Sequence, residues 1–134
     1  MPVSTIVRTM NAYQFSVSVE PAFLPEESDV EQGLWAYSYT VRIRNTGSHP
    51  AQLIARHWVI MDESGRTEEV RGLGVVGQQP LLRPGEVFEY TSWTRLTTPS
   101  GSMRGSYLCV AEDGSTFDAP IPEFALIPPG VTLH

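Results

Sequence analysis

The chain contains no lysine; all nine of its basic residues are arginine. A Walker A phosphate loop needs a lysine to reach the β- and γ-phosphates, so that chemistry is excluded. Cysteine occurs once, at Cys109, which rules out an intrachain disulfide and with it the bridge of an immunoglobulin domain. A reducing, cytoplasmic compartment fits this best. No apolar run approaches the roughly 20 residues of a membrane-spanning helix, and no signal-like segment opens the chain, so a soluble protein without membrane insertion is expected. Histidine is confined to His49, His57 and His134, and H-E-x-x-H, paired Cys/His and G-x-S-x-G patterns are missing. Zinc and serine hydrolase mechanisms therefore lack their parts. The adjacent acids Asp62–Glu63 and Glu68–Glu69 would point to opposite faces of a strand, so neither pair makes a two-carboxylate site. Amphipathic helical windows are absent too.

What is present is a chain of 134 residues, 41% hydrophobic, enough for one buried core and one domain. A net charge of -6 argues against nucleic-acid binding. Period-2 alternation recurs along the sequence. Tyr13, Phe15, Val17 and Val19 alternate with polar residues; Trp35, Tyr37, Tyr39, Val41 and Ile43 form an apolar face opposite Ala36, Ser38, Thr40, Arg42 and Arg44. Residues 51–62 are apolar on both faces, with Leu53, Val59 and Met61 on one and Ile54, Trp58 and Ile60 on the other. Further strands are expected at 67–71, 87–94, 102–112 and 115–126, the last confined to a sheet edge by Pro120 and Pro122. Cys109 lies inside one of these runs without a basic neighbour and reads as a buried structural thiol. About seven short strands predict an all-β, fibronectin-III/immunoglobulin-like antiparallel β-sandwich spanning residues 13–127, with an N-terminal arm (1–12) and a C-terminal tail (128–134). Residues 20–33 read as a solvated acidic loop, since the ligand order of an EF-hand is absent.

The stretch from Glu69 to Glu86 carries a G-x-G-x-x-G at Gly72, Gly74 and Gly77. A dinucleotide fingerprint requires a helix directly after the glycines, and Pro80 and Pro84 prevent one. Three readings of this 72–86 loop remain, the plainest being that Gly72, Gly74 and Gly77 let it fold tightly against the sandwich with Val75, Val76, Leu81 and Leu82 packing beneath it. A long glycine-punctuated connection flanked by Arg71 and Arg83 is a candidate docking surface for a protein partner. Alternatively, its backbone N–H groups form a nest for pyrophosphate or a nucleotide, a weak anion ligand opposed by Glu68, Glu69 and Glu86. The candidate binding residues are thus Arg71, Gly72, Gly74, Gly77 and Arg83, with no catalytic residue, metal ligand or cofactor.

The series Arg56-His-Trp58, Gly65-Arg66, Glu69-Val-Arg-Gly72, Gly74-Val-Val-Gly-Gln-Gln-Pro80, Leu82-Arg-Pro-Gly85, Glu89-Tyr-Thr-Ser92 and Pro99-Ser-Gly101 with Met103-Arg-Gly-Ser-Tyr107 closely resembles the ApaG (DUF525) family, over about residues 15–126. Val19-Glu-Pro21, Ala36-Tyr37 and Val41-Arg-Ile-Arg-Asn45 agree as well. The resemblance implies a fibronectin-III-like sandwich, a bacterial cytoplasmic protein, and an indirect link to Co2+/Mg2+ efflux or resistance. Related domains in eukaryotic F-box proteins look like interaction modules, which implies a non-enzymatic binding role here and leaves a homodimer open. The family has no established catalytic residues to carry over. Trp93 and Arg95 depart from its pattern.

Overall fold

The computed structural model describes residues 12–130. The expected arm (1–12) and tail (128–134) fall largely outside that range. Eight strands, β1 (Phe15–Phe23), β2 (Trp35–Asn45), β3 (Ala51–Asp62), β4 (Thr67–Leu73), β5 (Leu81–Leu82), β6 (Val87–Leu96), β7 (Gly101–Ala111) and β8 (Thr116–Leu126), form two antiparallel sheets. One has the order β1-β2-β6; the other runs β4-β3-β7-β8, with β5 joining β3. This is the expected sandwich, seven full strands plus a two-residue strand in the glycine stretch.

The inner faces interleave as the alternation requires. Tyr37, Val41 and Ile43 of β2 are fully buried, as are Leu53 of β3 and Tyr107 and Cys109 of β7. Trp58 is the aromatic hub: its ring meets Tyr39 at 5.2 Å, Phe124 at 6.0 Å and Tyr107 at 6.4 Å, all edge-on. Burial pushes the Cys109 thiol up to about 12, with the charge of Asp118 adding to it, as befits a structural cysteine.

Four details differ from the alternation read in the sequence. First, β1 does not stop before Pro21 but continues to Phe23, with Pro21 opposite Tyr39. As β2 is the one strand beside β1 in the sheet among the described residues, a proline without an N–H can be accommodated there. Second, Ala36, on the face expected to be wet, is fully buried. The segment after β1 covers it: Leu24 N–H donates to the Ala36 carbonyl and Ala36 N–H to the Ser28 hydroxyl, each at 2.8 Å. Third, β8 is an edge strand as expected, and its pairing with β7 slips by one residue between Met103 and Gly105. The slip falls at Pro122 and Glu123, where a missing donor breaks the ladder.

The fourth difference decides the functional geometry. Leu53 pairs with Cys109 but Ala55 pairs with Leu108, so Ile54 is an extra residue bulged out of β3. A bulge reverses the inside–outside parity of everything beyond it. Odd-numbered Leu53 and even-numbered Trp58 therefore both face the core, and Arg56 is turned toward the space between the sheets.

Candidate functional site

The stretch around the glycines is not one long loop. Residues 67–73 pair with β3 from Met61 to Ala55, and Leu81 and Leu82 pair with Gln52 and Ala51 on the same side of β3. Between them, residues 74–80 make a short excursion. It closes the flank of the sandwich between β3 and β6, with Val75 inserted into the core at 1% exposure.

The bulge anchors this excursion. The Ile54 carbonyl accepts from Gly74 N–H at 2.8 Å and from the Gln79 side-chain amide at 2.9 Å. Gln52 Nε2 donates to the Gln79 carbonyl. From the inner face Arg56 Nη1 donates to the carbonyls of Leu73 and Gly74, both at 3.0 Å. Its guanidinium lies flat against Gly72, where a Cβ would come within 2.7–2.8 Å of the guanidinium atoms.

Each motif glycine thus has its own physical reason. Gly72 leaves room for Arg56. Gly74 sits at φ 67°, where a side chain would also overlap the Gln78 carbonyl. Gly77, at φ 80°, is the second central residue of a two-residue hairpin closed by Val75 N–H to Gln78 O (2.8 Å) and Gln78 N–H to Val75 O (2.9 Å). Both central residues have positive φ, which defines a type I′ turn. Its first central position is Val76, at φ 44°, a conformation that a β-branched residue rarely takes. We expect Val76→Asn, which supplies the residue favoured at this position, to stabilise the fold by about 1 kcal/mol and raise the melting temperature by several degrees. An unchanged melt would mean that the turn carries no strain.

The alternative phosphate nest is short of donors, because the N–H groups of Gly74, Val75 and Gln78 are already bonded within the protein. The flanking arginines are not brought together. Arg71 lies on the outer face of β4, across from His57, while Arg83 lies in the turn beyond β5. His57, opposite Arg71, and Ala51, opposite the Leu82 that precedes Arg83, are about 20 Å of strand apart on β3. Each arginine has an acid beside it, Arg71 with Glu69 at 3.7 Å and Arg83 with Glu86 at 3.9 Å, and both side chains are 71% exposed. His57 Nε2 is 3.0 Å from the same Glu69, so this strand histidine is satisfied within the protein. Among the described residues no three His, Cys, Asp or Glu side chains converge on a metal position.

The residue the sequence reading passed over is Arg56. Two adjoining cavities of about 230 Å³ each share Tyr39, Arg56, Trp58 and Ser92 in their walls. Val75, Val76, Gly77 and Tyr90 complete the first. Glu68, Val70 and Met103 help line the second. Tyr90 and Tyr107 join hydroxyl to hydroxyl behind them. Burial raises both phenols, that of Tyr90 to about 12, while the Arg56 charge pulls in the opposite direction. The sequence carries a trace of Arg56's orientation: residues 51–62 look apolar on both faces because the one-residue bulge at Ile54 switches which parity faces the core.

Two antiparallel sheets of three and four full strands, with a flank closed by a glycine hairpin over an arginine, define a fibronectin-type sandwich with an inter-sheet cleft. The profile of the ApaG domain matches residues 25–111, and the chain belongs to the ApaG family. It is 58% identical over 125 residues to Protein ApaG of Ralstonia nicotianae, covering 93% of this chain and 100% of that one. With Protein ApaG of Bordetella pertussis it shares 59% over 127 residues, 95% of this chain and 96% of the other. A crystal structure described as that of an ApaA protein from Bordetella pertussis superposes with a TM-score of 0.88 at 59% identity, over 90% of this chain and 98% of that one. A second crystal structure, 41% identical, superposes at 0.84 over 89% and 90%. None of these four is named as an enzyme. Among the described residues no helix is long and apolar enough to cross a membrane.

Proposed function

We propose that the protein is a non-enzymatic, cytoplasmic binding module whose partner surface is the β4–β5 edge with the glycine hairpin between its two pieces. One observation carries this. Leu73, Val76 and Leu81, all within nine residues on that edge, are 75%, 53% and 55% exposed. Apolar side chains grouped on a rigid edge are a recurrent mark of interaction sites. Arg71 and Arg83 flank this apolar group and add polar anchors of the type enriched at interface centres. The connection to Co2+/Mg2+ efflux implied by the family resemblance is then indirect, exerted through a bound protein.

The test is cross-linking of the native protein in its own cell extract, followed by affinity measurement on the partner identified by mass spectrometry. A Leu73→Ser/Leu81→Ser variant removes the apolar contacts from exposed positions and is expected to keep its melting temperature. Its affinity should fall by at least about 30-fold, the equivalent of one interface hot spot. A folded variant that binds as tightly as the parent would place the interface elsewhere.

A further inference from the structure

We infer that the cleft between the sheets is a binding site for a small organic monocarboxylate with an apolar body, held by Arg56, Tyr39 and Ser92. Three observations point to a ligand. Arg56 uses only Nη1 on the protein; among the described residues its Nε and Nη2 have no hydrogen-bond acceptor or acid partner. Tyr39 is 7% exposed and lines both cavities, and its hydroxyl, which makes no hydrogen bond among the described residues, is not sealed in the core but opens onto the cleft. Val76, at a φ of 44° that a β-branched residue rarely takes, forms part of the wall. Backbone strain of this kind clusters at ligand sites.

The chemical class follows from the charges and walls. A guanidinium with one edge engaged and the other free matches the fork geometry of a single carboxylate. Glu68 lines the second cavity, so a polyanion such as pyrophosphate would meet one positive charge and one negative. A monoanion is balanced by the one guanidinium and meets less repulsion from Glu68 than a polyanion does. The rings of Tyr39, Trp58 and Tyr90 offer an apolar wall to the body of the acid, while the Tyr39 and Ser92 hydroxyls can donate to the second carboxylate oxygen. The glycine motif serves this site at one remove, because Gly72 is what allows the guanidinium to lie in the cleft. The cleft shares Val76 and the hairpin with the exposed β4–β5 edge, but Leu73 and Leu81 line neither cavity, so the Leu73→Ser/Leu81→Ser variant tests the edge without altering the cleft.

The probe is benzoate, titrated into 15N-labelled full-length protein with the Arg56 Nε–H and Trp58 indole resonances followed by NMR. Both signals should shift saturably with a dissociation constant at or below about 1 mM. Tyr39→Phe removes only a hydroxyl that the fold does not use. It should leave the melting temperature unchanged and weaken benzoate about tenfold, the ordinary loss for one hydrogen bond to a charged group. Arg56→Gln should abolish binding, but because Arg56 also holds Leu73 and Gly74 this variant is secondary. Unmoved Arg56 and Trp58 signals, equal benzoate affinity in Tyr39→Phe, or pyrophosphate binding at the same resonances as tightly as benzoate would each overturn the assignment.

Discussion

Gly74→Val is expected to destabilise the fold by about 3 kcal/mol, lowering the melting temperature by roughly 10 °C. Gly74 lies at φ 67°, where a β-branched residue is strained whatever space surrounds it. Here the space is missing too, since the new Cβ would overlap the Gln78 carbonyl oxygen that closes the Val75–Gln78 hairpin. Relief by moving the chain would break the Gly74 N–H bond to Ile54 and withdraw Val75 from the core. Gly77→Ala makes the control, because Gly77 has a similar φ but nothing within 4 Å of its missing Cβ. It should cost about 1 kcal/mol. Thermal melts of both variants check the pair, and equal losses would show that backbone conformation alone, not the packed hairpin, sets the requirement.

Trp58→Ala should be costlier still, by about 3–5 kcal/mol, the range for deleting a large buried aromatic. Trp58 is 2% exposed and packs edge-on against three other rings drawn from both sheets. For a domain whose total stability is about 5–15 kcal/mol, that loss leaves little in reserve. Chemical denaturation should show the midpoint moving sharply. By contrast Trp93→Ala should shift it by less than about 0.5 kcal/mol, since Trp93 is 58% exposed and its neighbour is the Arg95 guanidinium 5.5 Å from its ring centre. A Trp58→Ala loss no larger than that of Trp93→Ala would deny the inter-sheet aromatic cluster its place at the centre of the core.

The strands were legible in the sequence because one face of each sheet is dry and the other is largely wet, which writes period 2 into residues such as Tyr37 to Ile43. What escaped were the places where a local rule is overridden by a neighbour. Pro21 looked like punctuation but lies in an edge strand, where its missing donor is tolerated. Ala36 is small enough to be covered by a loop that no alternation pattern records. The glycine stretch looked long because its strand pieces, Gly72–Leu73 and Leu81–Leu82, are too short to show a period. Arg56 escaped for a different reason. A one-residue bulge has no composition of its own, and its only trace is the mismatch between the apolar parity of Leu53 and that of Trp58. The glycines themselves were readable as a device. Their purpose was not, because it depends on an arginine sixteen positions before Gly72.

The claim on which the rest depends is that Gly72, Gly74 and Gly77 seat Arg56 and a tight hairpin, and that their backbone does not cradle phosphate. It is tested most directly by titrating pyrophosphate and ATP, with and without Mg2+, while following the backbone amides of residues 74–78 by NMR. Those of Gly74, Val75 and Gln78 should stay in place through about 1 mM ligand, since their N–H groups are already engaged. Saturable shifts of these amides with a dissociation constant near ~1 μM would contradict it and make the glycine backbone the binding site.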